Sequence, residues 1–203
     1  MRKLGIKARI RQKKCNRVKI KPEQIGENIL NRDFTALYPN EKWLTDVTEF
    51  KYYVGNEKKK LYLSAILDLY DRRIVAYKIG TSNNNQLVFD TFDEAIENNP
   101  TAHPLFHSDR GFQYTNRTFH AKIKAAKMTQ SMSRVAKCID NGPMEGFWGI
   151  LKRERYYGKR FKDKETLVAM IEEYISYYNH KRLQRNLGVL TPMEKYETYL
   201  QVA

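Results

Sequence analysis

Three strand-forming segments follow one another near the start of the compact part of the chain, and this succession limits the folds open to it. The segments cover residues 43–50, 60–69 and 73–79 and are rich in β-branched and aromatic residues. Gly55-Asn56 is a turn signal within a charged hairpin loop, and Asp71-Arg72 marks a tight turn. The pattern predicts three consecutive strands joined by short connections.

Helix and strand patterns alternate in the rest of the chain. In order, we expect a helix capped by Asn83 to Asn85 and stopped by Pro100, a strand over 104–108, a helix opened by Asn116, a strand over 128–131, a helix with Pro143 in its first turn, and a helix from about Asp163 to Tyr178. This order is α/β and resembles that of a ribonuclease H-like domain. The resemblance implies a mixed five-stranded sheet flanked by helices.

Three carboxylates occupy positions that structure alone does not favour. Asp46 lies inside a strand pattern, where Asp is depleted. Asp109 follows the apolar end of a later strand, which is where open α/β sheets place ligand groups. Glu145 falls in the first turn of the helix that begins near Pro143. A single such carboxylate is most often structural, whereas the triplet in this order of elements is far more specific.

These carboxylates suit phosphodiester chemistry that uses no protein nucleophile. That chemistry needs two divalent cations about 4 Å apart, one to activate the attacking oxygen and one to stabilise the leaving oxygen. Magnesium takes oxygen ligands and binds through few carboxylates together with substrate phosphate, so three carboxylates suffice. In this chain 62 residues separate Asp46 from Asp109, and 35 separate Asp109 from Glu145.

The charge of the chain favours a polyanionic partner. Lys and Arg total 37 against 23 Asp and Glu, which gives a net charge of +14. Such a charge favours nucleic acid first and an anionic membrane second. The two cysteines, Cys15 and Cys138, form no paired motif, and no apolar run approaches the roughly 18–20 residues of a membrane span. We therefore expect a cytoplasmic, nucleoid-associated protein with no membrane contact.

The positive charge is concentrated at the start of the chain. Residues 1–21 carry ten basic residues and no acid. We interpret this segment as a DNA-binding arm, with Arg9, Arg11, Lys13 and Lys14 as candidate contacts; a solvated, poorly ordered arm is the alternative. Residues 22–40 contain Pro, Gly and Asn at intervals and are interpreted as a linker.

Several motifs together resemble the integrase-core transposases of bacterial insertion sequences, which are relatives of retroviral integrases. The resemblance covers roughly residues 36–199. Its motifs are Trp43-Leu-Thr-Asp46-Val-Thr, Tyr62-Leu-Ser-Ala-Ile-Leu-Asp, His107-Ser-Asp109-Arg-Gly111, Tyr114, Asp140-Asn-Gly-Pro-Met-Glu145, Phe147-Trp-Gly-Ile-Leu-Lys152, Tyr178-Asn179, Arg182, Leu187-Gly188 and Thr191-Pro192.

The resemblance implies roles for residues at these motifs. Asp46, Asp109 and Glu145 are assigned as catalytic residues and as ligands of two Mg²⁺ ions, for which Mn²⁺ is an expected substitute. Lys152 lies seven residues after Glu145, close to two helical turns, so both side chains are expected on one helix face, with Lys152 on a DNA phosphate.

Further basic residues near the triad are candidate DNA contacts. They are Arg110 beside Asp109, and Arg134 and Lys137 in the loop before Glu145. A solvated basic loop is the alternative interpretation of the last two.

The resemblance also divides the chain. Residues 36–200 are expected to form the integrase-type catalytic core with C-terminal helices. Residues 1–35 are interpreted as a basic arm and linker, the remnant of a helix-turn-helix region that members of the family carry at this point, left by an internal start, a truncated gene copy or a fragment.

The predicted function is metal-dependent cleavage and strand transfer of double-stranded DNA by a homo-oligomer bound to transposon ends and target. Three alternatives stay open at this point: a truncated, non-catalytic DNA-binding remnant, a plain ribonuclease H-like nuclease, and an RNA-binding or assembly role for the basic arm.

Overall fold

The computed structural model of the chain describes residues 26–134 and 138–202. It contains five strands: β1 (Lys42–Val54), β2 (Glu57–Asp68), β3 (Ile74–Gly80), β4 (Leu105–Ser108) and β5 (Thr129–Met132). Five α-helices lie among and after them: α1 (Asn85–Asn98), α2 (Arg117–Ala125), α3 (Gly142–Leu151), α4 (Lys164–His180) and α5 (Pro192–Val202). A π-helical turn, Lys152–Tyr156, follows α3 directly.

The five strands form one mixed sheet in the order β3-β2-β1-β4-β5. β1 pairs with β2 and β2 with β3 in antiparallel fashion, whereas β4 pairs in parallel with both β1 and β5. The change from antiparallel to parallel pairing falls between β1 and β4, so the strand carrying Asp46 and the strand that ends before Asp109 are neighbours. The predicted mixed five-stranded sheet is confirmed.

Helices cover both faces of the sheet. Trp43, Ile66 and other residues of one face pack with α1 and α2 in one apolar cluster. Leu44, Phe50 and other residues of the opposite face pack with α3 and α4 in a second cluster. Each face buries many large apolar side chains, and burial of such area is the main stabilising contribution to a fold of this kind.

Local signals placed most elements correctly, because caps and turns depend on neighbouring residues. Asn84, Asn116 and Asp163 each accept a hydrogen bond from a backbone N–H in the first turn of α1, α2 and α4. The turn between β1 and β2 contains Gly55 at φ 60°, a left-handed conformation that suits glycine. β1 extends to Val54, four residues beyond the predicted end, because its last residues pair with the charged start of β2.

The described part of the predicted linker is packed against the sheet. The backbone N–H groups of Ile29 and Leu30 both donate to Ser131 Oγ at 3.0 Å, and Met132 N donates to the Glu27 carbonyl at 2.9 Å. Leu30 is 2% exposed within the α3–α4 core. This segment therefore covers the edge formed by β5, and packed structure begins ahead of residue 36, where the catalytic core was expected to start.

Two further carboxylates in the sheet have structural roles. Asp68 accepts hydrogen bonds from the backbone of Asn40 and Tyr70, and Asp71 pairs with Arg73. Both hold the turn between β2 and β3. Among the helices of residues 26–134 and 138–202, none is long and apolar enough to cross a membrane.

Candidate active site

Asp46 lies in the middle of β1 on the face that packs against α3. Side chains alternate along a strand, so Asp46 shares this face with Leu44, Thr48 and Phe50. The carboxyl is half-buried, and its Oδ2 accepts a hydrogen bond from Trp148 Nε1 at 3.0 Å. A carboxylate on a central strand has little freedom to move, and Asp46 is therefore a fixed point of the site.

Asp109 comes immediately after β4, the parallel neighbour of β1. Leu44 pairs with His107 in that ladder, and the same register continued by two residues sets Asp109 beside Asp46. Asp109 Oδ1 accepts the Gly111 backbone N–H at 2.8 Å. A Cβ on Gly111 would lie 2.9 Å from that oxygen, so a larger residue there would displace the Asp109 carboxylate.

Glu145 lies in the first turn of α3 and is exposed. The preceding Asn141 donates its amide N–H to the carbonyl of Thr45 at 3.0 Å, which fixes the start of α3 against β1 next to Asp46. The Asn141 Oδ1 atom is buried and has no hydrogen-bond partner in the structure. The helix start thus brings a third carboxylate and an unpartnered amide oxygen to the same part of β1.

The electrostatics show that Asp46 interacts with both other carboxylates. Burial, followed by repulsion from Asp109 and a smaller contribution from Glu145, raises the pKa of Asp46 to about 6, against the hydrogen bonds from Val47 and Trp148. Burial also raises the pKa of Asp109, although the residue as a whole is exposed at the rim. Asp46 therefore belongs to two carboxylate pairs, one with Asp109 and one with Glu145, and the negative charge of these pairs is not compensated by an ion pair among the described residues.

The three carboxylates lie in one region but do not form a site in which all three could bind the same metal ion. Within the described residues, no three His, Cys, Asp or Glu side chains are grouped closely enough to hold one metal ion. The free oxygens of Asp46, Asp109 and Glu145 are hard donors, which is the chemistry that Mg²⁺ and Mn²⁺ prefer. The donor set fits divalent cations held by pairs of carboxylates, with other oxygen ligands completing each shell.

Lys152 lies on the same side of β1 as Asp46. Its Nζ donates to Thr48 Oγ1 at 2.6 Å and lies 5.1 Å from the centre of the Phe50 ring. Burial lowers the pKa of Lys152, while Asp46 and Glu49 act in the opposite direction. The ammonium group is thus directed toward the strand face that carries Asp46, and it extends from the π-helical turn that follows α3. Its contact with a DNA phosphate stays a prediction.

The other predicted DNA contacts that the structure describes form hydrogen bonds within the protein. Arg134 is exposed, but its backbone N–H, Nε and terminal NH₂ all donate to the buried carboxylate of Asp140. Arg110 Nε donates to the Ser133 carbonyl at 2.7 Å. Their contact with DNA stays a prediction. Arg9, Arg11, Lys13, Lys14 and Lys137 lie outside the described residues.

Sequence reasoning missed the roles of Trp148 and Asp140. Trp148 follows Glu145 by three residues and precedes Lys152 by four, so helical spacing alone could have assigned it to the same face. Asp140 accepts hydrogen bonds from Asn28 and Arg32 as well as from Arg134. No local pattern predicts that cluster, because Asn28 and Arg32 are each more than 100 residues away from Asp140 in sequence.

The fold and the site define a ribonuclease H-like protein of the integrase core class. The family described as "Integrase core domain" matches the chain over residues 36–138 and again, in a second form, over residues 145–199. The chain belongs to this family.

Relatives and solved structures agree with that assignment. A transposase-like protein of Haemophilus influenzae is 42% identical over 95% of this chain and 88% of its own length. The transposase for insertion sequence element IS904 of Lactococcus lactis is 33% identical over 84% of this chain and 68% of its own length. Within the integrase core family, the chain is therefore a DNA transposase of the bacterial insertion-sequence type.

Two viral structures share the fold at low sequence identity. The chain superposes on the simian T-cell lymphotropic virus intasome structure with a TM-score of 0.68, 19% identity, and coverage of 86% of this chain and 59% of the other. It superposes on the HTLV-2 integrase catalytic core domain, solved in complex with magnesium, with a TM-score of 0.58, 18% identity, and coverage of 79% and 98%. These matches confirm the predicted ribonuclease H-like fold.

Proposed function

We propose that the chain uses one site, formed by Asp46, Asp109 and Glu145, for two successive phosphodiester reactions during transposition. In the first, water attacks a phosphorus atom at the transposon end, and the broken P–O bond leaves a free 3′-hydroxyl. In the second, that hydroxyl attacks a phosphodiester elsewhere, and the displaced oxygen leaves as a new 3′-hydroxyl. Each bond broken is matched by one formed, so neither ATP nor a protein–DNA intermediate is needed.

The observation that carries this proposal is the position of Asp46 between two other carboxylates. Repulsion from Asp109 and Glu145 acts on the half-buried Asp46 carboxylate, so negative charge is concentrated at one position of a basic protein. Such a cluster is costly for a folded chain, and cationic ligands relieve the repulsion. None of the three carboxylates forms a salt bridge with another described residue, so ion pairing does not explain their presence as structural residues.

Two Mg²⁺ ions are the cofactors that this donor set fits, and Mn²⁺ offers the same oxygen-ligand chemistry. When bound, such ions activate the attacking oxygen and stabilise the leaving oxygen. Asp46 contributes to both pairs, Asp109 to one and Glu145 to the other. The HTLV-2 core with the same fold is in complex with magnesium, which supports the choice of metal.

DNA is the substrate that the charge and the family support. Lys152 is positioned to hold a phosphate beside the carboxylates, as a compact point charge on the same face of β1. The arm residues Arg9, Arg11, Lys13 and Lys14 add positive charge, which favours a polyanionic substrate. The simian virus relative forms an intasome, and one HTLV-2 core is dimeric. We propose that this chain likewise acts as a homo-oligomer on two DNA ends, in the cytoplasm and at the nucleoid.

Removal of one ligand charge at a time tests the site. Asp46→Asn, Asp109→Asn and Glu145→Gln should each abolish cleavage and joining of labelled transposon-end DNA in Mg²⁺, with circular dichroism spectra unchanged. Glu197→Gln on α5, where the glutamate is exposed, is the matched control and should keep full activity. Near-normal activity in any of the three variants would remove that residue from the site.

The same assay separates the alternatives. A non-catalytic remnant would bind end DNA without cleaving it in Mg²⁺ or Mn²⁺. A plain nuclease would nick the DNA but form no joined product when a 3′-hydroxyl end is supplied. Joined product that depends on all three carboxylates supports transposase chemistry.

A further inference from the structure

The indole of Trp148 connects the helix of one proposed metal ligand to the side chain of another. Trp148 lies on α3, three residues after Glu145, and its Nε1 donates to Asp46 Oδ2 on β1 at 3.0 Å. The ring is 6% exposed and packs against Phe147, with ring centres 5.0 Å apart. Packing in the core thus fixes the indole ring, while its N–H group donates to the Asp46 carboxylate.

This hydrogen bond is one of a series that ties α3 and its π-helical turn to β1. Trp148 contacts Asp46, Lys152 contacts Thr48, and the Tyr156 hydroxyl bonds the backbone of Lys51 at 2.9 Å. Four residues of α-helix advance about 6 Å and two residues of strand about 6.6 Å, so the first two contacts keep the helix and strand in step. Trp148 is the member of the series that ends on a proposed ligand.

The chemistry of an indole suits a positioning role. Its N–H is a donor only, so it can neither coordinate a cation nor add charge to the site. Together with the backbone N–H of Val47, it restricts the rotation of the Asp46 carboxyl. A carboxylate has about four acceptor positions, so these two donors leave others available for a cation. Partners that orient ligands in this way commonly contribute 10- to 100-fold to metal affinity.

We propose that Trp148 is a positioning residue that orients the Asp46 carboxylate for divalent cations and fixes its distance from the helix of Glu145. This inference rests on the proposed function, because it assumes that Asp46 is a metal ligand. The competing explanation is that Trp148 is an ordinary core residue whose N–H merely needs a partner. The chain offers an internal comparison: Trp43, also buried, donates its Nε1 to Asp68 and Asn40 away from the site.

The first experiment uses the unmodified chain. With two tryptophans in the sequence, a ¹H–¹⁵N spectrum shows two indole cross-peaks, which Trp43→Phe assigns. Titration with Mn²⁺ should broaden the Trp148 indole peak at low metal ratios, while the Trp43 peak persists. Equal persistence of both peaks with Mn²⁺ bound would overturn the proposal, because the metal would then be remote from Asp46.

The second experiment separates orientation from packing. Trp148→Phe keeps an aromatic ring and removes the donor, and it should weaken Mn²⁺ binding by about tenfold, measured from free Mn²⁺ by EPR. It should also lower kcat for cleavage about tenfold with an unchanged KM for DNA. Trp43→Phe, which removes the other indole donor, should leave the Mn²⁺ affinity unchanged.

Failure of this inference is distinguishable from failure of the proposed function. Mn²⁺ binding that is lost in Asp46→Asn but normal in Trp148→Phe would overturn the positioning role and leave the metal site in place. Mn²⁺ binding unaffected by Asp46→Asn would overturn the proposed site, and the role of Trp148 with it. If Trp148→Phe does not fold, an isosteric tryptophan analogue with benzothiophene in place of indole, incorporated into Trp43→Phe, removes the donor and keeps the ring volume; an unchanged Mn²⁺ affinity would then overturn the positioning role.

Discussion

Lys152 donates to Thr48, the residue two positions after Asp46 on the same face of β1. The ammonium group therefore reaches the strand of Asp46, although it comes from the π-helical turn that follows the helix of Glu145. A hydroxyl is a neutral partner, and no carboxylate is within ion-pair distance of Lys152 among the described residues. We therefore expect this charge to bind an incoming anion such as a DNA phosphate.

Replacement of Lys152 tests this role. Lys152→Ala should lower cleavage and joining by about 10- to 100-fold, because a hydrogen bond to a charged group contributes about 1.5–3 kcal/mol. Mn²⁺ affinity should stay nearly constant, since Lys152 is not a ligand, and Lys152→Arg should keep a substantial part of the activity. Lys124→Ala, at an exposed position on α2, is the control. A silent Lys152→Ala would show that the lysine is only a surface residue.

The sequence specified the site carboxylates better than it specified what surrounds them. Asp46, Asp109 and Glu145 could be located because strand patterns, turn signals and helix caps are local, and those elements fix the three positions. The expected shared face of Lys152 and Glu145 rests on the same kind of reasoning and stays a prediction. Each of these inferences needs only nearby residues and a known periodicity.

The parts that sequence did not predict depend on pairing between distant segments. The hydrogen bond of Trp148 to Asp46 requires knowing that α3 packs along β1. The segment around Leu30 has the Pro, Gly and Asn content of a loop, yet it packs on β5 because Ser131 accepts its backbone N–H groups. Composition describes the local chain and not its partner, so such contacts emerge only from the tertiary structure.

Metal affinity should depend on pH through Asp46. Its pKa of about 6 means that protons compete with cations, so Mn²⁺ binding should weaken as pH falls through 6 and level off above pH 7. Titrations of free Mn²⁺ by EPR between pH 5 and 8 measure this. A constant affinity across that range would contradict the raised pKa.

The stability of the metal-free chain should show the opposite trend for the same group. A carboxyl whose folded pKa lies above its ordinary value of 3.8 stabilises the fold when protonated, and that contribution is lost as pH rises from about 4 to 6. At pH 7 the free energy of unfolding of Asp46→Asn, measured by urea denaturation, should therefore exceed that of the parent by about 1–2 kcal/mol, a value reduced for the partial exposure of the carboxyl. At pH 4 the two proteins should be about equally stable. Added Mg²⁺ should stabilise the parent and not the variant.

Asp140 should be among the most destabilising positions to change. It is fully buried and accepts hydrogen bonds from Arg32 and from Arg134, so its loss leaves cations without their partner. Asp140→Asn should lower the free energy of unfolding by about 1.5–3 kcal/mol, measured by urea denaturation, because the Arg32 and Arg134 side chains keep partial access to solvent. Asp33→Asn, which removes an exposed partner of Lys42, should have little effect.

The pH dependence of the Asp140 contribution has a definite sign. Hydrogen bonds from Arg134 hold the pKa of Asp140 far below its ordinary value. Its stabilisation is therefore complete above about pH 4 and is lost only as pH falls further. Parent and Asp140→Asn should converge in stability toward strongly acidic pH, and a gap that stays constant to pH 2 would assign the effect to packing.

The basic arm should control the salt dependence of DNA binding. On duplex DNA, the logarithm of the binding constant falls with the logarithm of salt concentration by about 0.9 for each phosphate neutralised. Deletion of residues 1–21, which carry ten basic residues, should make this slope shallower and weaken binding to all DNA sequences alike. Fluorescence anisotropy of labelled duplexes between about 50 and 200 mM KCl measures the slope.

A second variant separates charge from length in that experiment. Replacement of Arg9, Arg11, Lys13 and Lys14 by Gln keeps the arm intact and removes four of its charges. If these residues contact phosphates, the slope should fall part of the way toward that of the deletion, and on duplex DNA each lost contact should change it by about 0.9. Loss of RNA binding with DNA binding unchanged would assign the arm to RNA. Counterion release accompanies every phosphate that the arm neutralises, so an unchanged slope in both variants would mean that the arm does not contact DNA.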